Sequence, residues 1–240
     1  MTGDVLELGT GWLPIIPLLF HLAGSRRLML TDIERLMDGR AITTARAVIL
    51  RYLPLVASTL GQSEAYLARR LGEEFTPDYV VPWDSRTHPA NSADVIYSRA
   101  VLEHIPPPVL EQLLLDFHRI LRPGGGMCHV IDNSDHWEHR DKTLSRVDFL
   151  RYEDGVYWKL ATLDTQWYQN RLRHGDYLRL FRKFGWTADL AEGDPDEKCL
   201  RDLEALPLAA PFRGGDRRDL AVLTSIFVLR KAAAEAASGD

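Results

Sequence analysis

The stretch VLELGTGWLP, residues 5–14, decides how this chain is read. An apolar run carries one acid, Glu7, and closes on Gly9 and Gly11 with a single residue between them. A short apolar run ended by glycines is the pattern of a buried strand entering a tight turn. Pro14 stands where a third glycine would complete the turn that holds a dinucleotide. From Leu13 to Leu22 the apolar spacing is helical, and Gly24 stops it. Strand, glycine turn and helix open a parallel α/β sheet, whose ligands sit beyond the C-terminal strand ends.

Outward from that start the alternation continues. Strands are predicted at 4–8, 26–31, 78–81, 93–98, 127–132 and 186–192, with a last one in DLAVLTSIFVLRK, 219–231. Thr31 and Glu34 have capping-box spacing, which predicts a helix from about Asp32. Apolar positions three and four apart up to Ala68 predict two helices, broken near Leu53-Pro54 and Gly61. PPPVLEQLLLDFHRIL (106–121) is a helix stopped by RPGGG, and DYLRLFRKFG (176–185) is another with a glycine stop. The two late strands, joined by a loop, predict an antiparallel edge hairpin. The final AAAEAASGD is expected to fray. We read one α/β domain over 1–240, a three-layer sandwich with a helical insertion at about 33–77 and a polar, aromatic insertion at about 133–175.

Composition narrows the function. A net charge of -5 argues against a nucleic-acid footprint. Cys128 and Cys199 are too few for a disulfide framework, which predicts a reducing, cytoplasmic setting. LPIIPLLFHLAG is too short for a bilayer and lacks the basic flank of a signal peptide, so no membrane partner is expected.

The ligand follows from charge. Asp32 ends the second strand about 20 residues past the turn, where a carboxylate grips ribose hydroxyls. Asp84 and Trp83 lie just past the third strand and together suit a purine. A pyrophosphate against the turn would meet Glu7, and two like charges ~4 Å apart cost roughly 4 kcal/mol at an effective dielectric near 20. A cation reverses that sign. S-adenosylmethionine offers ribose, adenine, ammonium and sulfonium with no phosphate; a tight turn without a ligand is the plain alternative.

VLELGTG, Asp32, DVIYSRAVLEHI (94–105) and ILRPGGGMCHVID (120–132) together resemble the motif series of class I S-adenosylmethionine-dependent methyltransferases. The resemblance runs from about residue 4 to 132 in order and resumes at the last strand. It implies a Rossmann-like seven-stranded sheet of order 3-2-1-4-5-7-6 with strand 7 antiparallel, and S-adenosyl-L-methionine as cofactor. Position by position, it implies that Glu7, Gly9, Thr10 and Gly11 meet the methionine and ribose portion. Asp32 is then the ribose clamp, Trp83 and Asp84 the adenine contact, and Ser98 and Arg99 the floor under the sulfonium. Members carry a helical cap before the first strand, whereas three residues precede Asp4 here. The insertion at 33–77, about twice the usual length, is expected at the sheet edge, over the site or as a homodimer surface.

The segment after strand 5 is where this family binds its acceptor, and here it is dense in His, Asp, Arg, Trp and Tyr. His136 and His139, with Tyr168 as alternative, are candidates for general base. His104, Asn133, Asn170, Arg171 and Arg173 are candidates for acceptor binding, the arginines through bidentate carboxylate contacts. For Glu103 and His104 a scaffolding turn is the plainer reading, and for the insertion a cap held by its own salt bridges. A metal cluster of His136, His139, Asp135 and Asp141 has loose spacing and too few carboxylates for a hard cation, so no metal ligand is assigned. The expected function is in-line methyl transfer to a small-molecule acceptor. The alternatives are non-methylating chemistry on the same cofactor, with release of methylthioadenosine or a cofactor-assisted cyclisation, and a non-catalytic interaction module. Glu7 and the absent third glycine count against a nicotinamide enzyme.

Overall fold

The computed structural model describes residues 3–161 and 168–231. The expected fraying segment, 232–240, lies outside the described residues. Seven strands form one sheet of order β3-β2-β1-β4-β5-β7-β6. The chain divides into two compact units, residues up to Ser98 with Arg119–Gly126, and Arg99–His118 with residues from Met127 onward.

In the first unit β1 (Asp4–Leu8) is buried along its whole length, as a run without alternation should be. It pairs in parallel with β2 (Arg27–Thr31) and β4 (Ala93–Arg99), and β2 pairs with β3 (Asp78–Val80). Helix α1 (Ile15–Leu22) follows the glycine turn and buries Pro17, Leu18 and Leu22. No helix begins at Asp32. The Thr31 hydroxyl, expected as its cap, donates instead to the Glu7 carbonyl at 2.6 Å, and 32–40 is loop. The segment 41–72 holds three helices where two were expected. Helix α2 (Ala41–Arg51) buries Ala41, Ala45 and Ile49 at four-residue spacing, and α3 (Leu53–Leu60) turns away by 80°. Helix α4 (Glu64–Gly72) is capped by Ser63, whose hydroxyl accepts from the Tyr66 amide. Arg70 of α4 donates to the His21 carbonyl of α1 at 2.8 Å, so this insertion packs back on the first helix.

Charge closes the other end of the same sheet. Arg122 donates to both Asp4 and Asp94 at 2.7 Å, and Arg26 forms a paired contact with Asp4. These bonds hold the Asp4 carboxyl down at about 2, Arg26 contributing most. Strand β5 (Leu121–Asp132) is longer than expected, taking in the RPGGG stretch. A side chain at Gly125 would stand 2.9 Å from the Asp94 carbonyl, so glycine is what lets the backbones approach there.

The second unit contains α5 (Pro107–Ile120) up to His118, with Leu110, Leu113, Leu114 and Phe117 buried on one face. It also contains α6 (Asp154–Ala161), α7 (His174–Lys183), and the antiparallel pair β6 (Trp186–Glu192) and β7 (Thr224–Lys231). The connection between those strands is more than a loop. It holds α8 (Glu197–Ala205), capped by Asp196, and the short α9 (Arg217–Leu220). Cys199 and Leu203 of α8 enter a core with Val147, Phe149, Leu150 and Tyr157, so the insertion and the hairpin connection share one apolar cluster. Among the described residues, no single helix is long and apolar enough to cross a membrane.

Candidate functional site

Gly9 (φ 73°) and Gly11 (φ 66°) both adopt the left-handed conformation that favours glycine. The turn is fastened to β2: the Gly9 and Thr10 amides both donate to the Thr31 carbonyl, at 2.9 and 3.0 Å. The Gly11 amide donates to Asp32 Oδ2 at 2.9 Å, and the Ile33 amide to Oδ1 at 2.8 Å. Asp32 therefore reaches the turn from the neighbouring strand end, as the sequence spacing required. Ile33, next to it and expected on the apolar face of a helix, is instead 80% exposed in a loop.

Glu7 is buried at the end of β1. Its register partner on β4 is Tyr97, whose hydroxyl donates to Oε1 at 2.7 Å, while Oε2 has no hydrogen-bond partner. Burial pushes the Glu7 carboxyl up to about 7, against the Tyr97 hydrogen bond and the nearby Thr10 hydroxyl; the Asp32 charge adds to the rise. Glu7 is therefore not the permanently ionised group that its sequence position suggests: its burial leaves it poised between the two states near neutral pH, and a cation beside it favours the ionised one.

Trp83 hangs on the same strand ends, its amide donating to the Asp32 carbonyl and its indole N–H to His88 Nδ1 at 3.3 Å. Both Asp84 oxygens face Arg86, which holds that carboxyl below its ordinary value. Ser98 is buried beside Leu8 at the end of β4, and Arg99 is exposed.

In the second unit, segment 168–170 gathers two separate pieces of chain, 102–105 and 134–136. The Tyr168 carbonyl meets His104 Nδ1 at 2.7 Å. Gln169 accepts from the His136 amide and donates to the Ser134 carbonyl. Asn170 donates from its side chain to the Leu102 and Ile105 carbonyls and from its amide to the Glu103 carbonyl. The result brings Glu103, His104 and His136 together, one ligand-type atom from each lying within 4.8 Å of the others. Asp132 Oδ2 stands 3.6 Å from His136 Nε2. Burial opposes the ionised form of Asp132, yet His136 and Ser134 hold it well below the usual carboxylate range. On Glu103 burial prevails over its hydrogen bonds and pushes the carboxyl up to about 8, and burial lowers His104.

The other expected residues are placed differently. Arg173 is fully buried and donates to the carbonyls of Asn133, Leu220 and Val222. Arg171 donates to the carbonyls of Phe149 and Tyr152 and to Asp154. The terminal guanidinium nitrogens of both arginines are thus held by the protein, while Arg173 Nε has no hydrogen-bond partner; Asn170, Arg171, Arg173 and Trp158 line a cavity of about 320 Å3. The Asn133 side chain donates to Ser225 Oγ at 2.7 Å. His139 is exposed and stacks on His136, with ring centroids 5.0 Å apart, and Tyr168 stacks on Trp158. Asp135 spends both carboxylate oxygens on the Trp137 and Phe149 amides, and Asp141 holds Thr143, so neither joins His136. Tyr97 was detectable from strand register alone, since it faces Glu7; the convergence at 168–170 follows no local pattern.

Two features of the turn fit S-adenosylmethionine. A side chain added at Gly11 would meet nothing within 4 Å, so there is open space over the turn. Glu7 Oε2, on the strand that leads into the turn, has no hydrogen-bond partner, and a cationic donor would satisfy it. Comparison with known proteins agrees. The chain is similar to an S-adenosylmethionine-dependent methyltransferase from Mesorhizobium loti, with 14% identity, TM-score 0.53, and coverage of 96% of this chain and 91% of that one. It is also similar to 1,6-didemethyltoxoflavin-N1-methyltransferase of Burkholderia thailandensis, solved with 1,6-didemethyltoxoflavin and S-adenosylhomocysteine bound. There the identity is 14%, the TM-score 0.50, and the coverage 97% of this chain and 72% of that one. No curated protein matches the sequence. A family model described as a methyltransferase domain matches residues 2–191. With the predicted strand order present and that match spanning most of its length, the chain belongs to the class I methyltransferases, whose cofactor is S-adenosylmethionine.

Proposed function

We propose that this protein transfers the methyl group of S-adenosylmethionine to a small-molecule acceptor. The observation that carries the reading is the turn itself: two left-handed glycines and Asp32 joined by the Gly11 amide, beside a buried carboxyl with one unpartnered oxygen. Bound S-adenosylmethionine supplies an electrophilic methyl on a sulfonium, whose transfer leaves a neutral thioether. The chain's own part is placement, because in-line displacement is governed by alignment. Asp32, fixed by the Gly11 and Ile33 amides, has lone pairs left for ribose hydroxyls. Ile33 offers the apolar face for adenine. Glu7 receives the ammonium, and its ionised form is the one that binding favours. On the acceptor side, Glu103, His104, Asp132 and His136 are the polar groups that receive and orient the nucleophile.

A small acceptor is supported by the acidic net charge, which suits no polyanion, and by the Burkholderia neighbour with its bound 1,6-didemethyltoxoflavin. Calorimetry of S-adenosylmethionine binding tests the cofactor half, with Asp32→Ala expected to weaken it at least tenfold; equal binding by the variant refutes the ribose assignment. Mass spectrometry after incubation with acceptor panels tests the reaction. S-adenosylhomocysteine is expected, and methylthioadenosine formed without acceptor would overturn methyl transfer.

A further inference from the structure

From the second unit we infer a binding site for one divalent transition-metal ion of the zinc class, held by Glu103, His104 and His136. The three offer a carboxylate oxygen and two imidazole nitrogens within 4.8 Å of one another. Zinc bonds of about 2.0–2.1 Å to nitrogen and oxygen set tetrahedral donors roughly 3.3 Å apart.

Three further facts point to an occupant. Glu103 is only 2% exposed, and its Oε2 has no partner; His136 is 8% exposed, and its Nε2 has no hydrogen-bond partner. His136 Nε2 has only Asp132 Oδ2 near it, at 3.6 Å, and Glu103 Oε2, from a chain segment 33 residues away, is left open beside the histidines, which native interiors rarely tolerate. His104 is prepared as a ligand: its Nδ1 lies 2.7 Å from the Tyr168 carbonyl, an oxygen that can only accept, so the proton sits on Nδ1 and Nε2 presents a lone pair. A ligating imidazole tied to a carbonyl through its other nitrogen is the usual outer support of a zinc site. Finally, the backbone of all three ligands is braced by neighbouring residues: Gln169 fixes the amide of His136 and Asn170 the 102–105 turn. Asp132, 3.6 Å from His136, adds negative charge at the rim.

The donor set is histidine-rich with a single ligating carboxylate, which favours zinc, cobalt or iron over magnesium or calcium. Three protein ligands leave a fourth position open, the arrangement of reactive zinc sites. The proposal deepens the function proposed above, on which it rests for its substrate class: an acceptor that offers an oxygen or nitrogen lone pair to the ion. Binding of the ion itself does not depend on that reading.

The test uses the full chain, stripped with a chelator and titrated with Zn2+ or Co2+. Elemental analysis and the visible absorption of bound Co2+ are expected to give one ion per chain, and Zn2+ is expected to raise the melting temperature. His104→Ala, His136→Ala and Glu103→Gln should each weaken Co2+ binding about a hundredfold or more, whereas His139→Ala should not change it. S-adenosylmethionine calorimetry on the same variants reports whether they are folded. Absence of stoichiometric binding by the wild type, or equal binding by His104→Ala and His136→Ala, overturns the site. Cofactor binding without the ion sinks only the metal, and ion binding without cofactor binding sinks only the methyltransferase reading.

Discussion

With Glu7 proposed to receive the ammonium, the affinity for S-adenosylmethionine is expected to depend on pH, and Glu7→Gln isolates the effect. Burial places the carboxyl at about 7 in the free protein. Near pH 8 about nine-tenths of it is ionised and near pH 6 only about a tenth, while an α-ammonium, ordinarily titrating near 7.7–8.0, falls to about two-fifths charged near pH 8, so binding is expected to be about fourfold weaker at the lower pH. At pH 6 each binding event should then release close to one proton. Calorimetry in two buffers of different ionisation enthalpy measures that release directly. In Glu7→Gln the release should vanish, the pH dependence should flatten, and affinity near pH 8 should fall about tenfold. Stability must move the opposite way. Because the folded value lies above the ordinary 4.5, the stability linked to this carboxyl is complete below pH 4.5 and is lost as pH rises through about 7. The loss amounts to about 3 kcal/mol at most. Glu7→Gln should therefore melt higher than the wild type near pH 8 while binding cofactor less well. A wild type with pH-independent affinity and no proton release would refute the reasoning.

Arg173→Met should strand three buried carbonyls, and chemical denaturation should show a loss of about 3 kcal/mol or more; unchanged stability with a raised acceptor KM would instead return this arginine to the acceptor site. Leu203→Ala removes a fully buried side chain from the cluster shared by the insertion and α8, and thermal melting should report about 2–5 kcal/mol. Asp4 is held at about 2, so its stabilising effect is present above the ordinary carboxylate value and lost as pH falls toward 2. Asp4→Asn should accordingly flatten the decline in urea midpoint between about pH 4 and pH 2, at a cost in stability near neutral pH.

What the sequence made readable was local. The apolar run at 4–8, the glycines at 9 and 11 and the acid at 32 each announce themselves within a few residues, and all three take the expected places. The false helix start at Asp32 arose because Thr31 has a second use for its hydroxyl, across the strands, that capping-box spacing cannot reveal. Helix α8 does not stand out in the sequence although Asp196 caps it and Cys199 and Leu203 are four residues apart, because nine residues carry too few turns for a clear period. The arginines misled for another reason. A buried guanidinium among carbonyls and one awaiting a ligand look alike in sequence, and only the tertiary partners tell them apart. Glu103, His104 and His136 meet because Tyr168, Gln169 and Asn170 draw distant segments together, information that no window of sequence contains.

The double acceptance by the Thr31 carbonyl has a kinetic corollary. A loop whose amides are already committed to a neighbouring strand has little conformational freedom left to surrender on association. Encounter with the nucleoside would then be governed by diffusion, water displacement and the local field, with no slow rearrangement of the glycine loop on the way in.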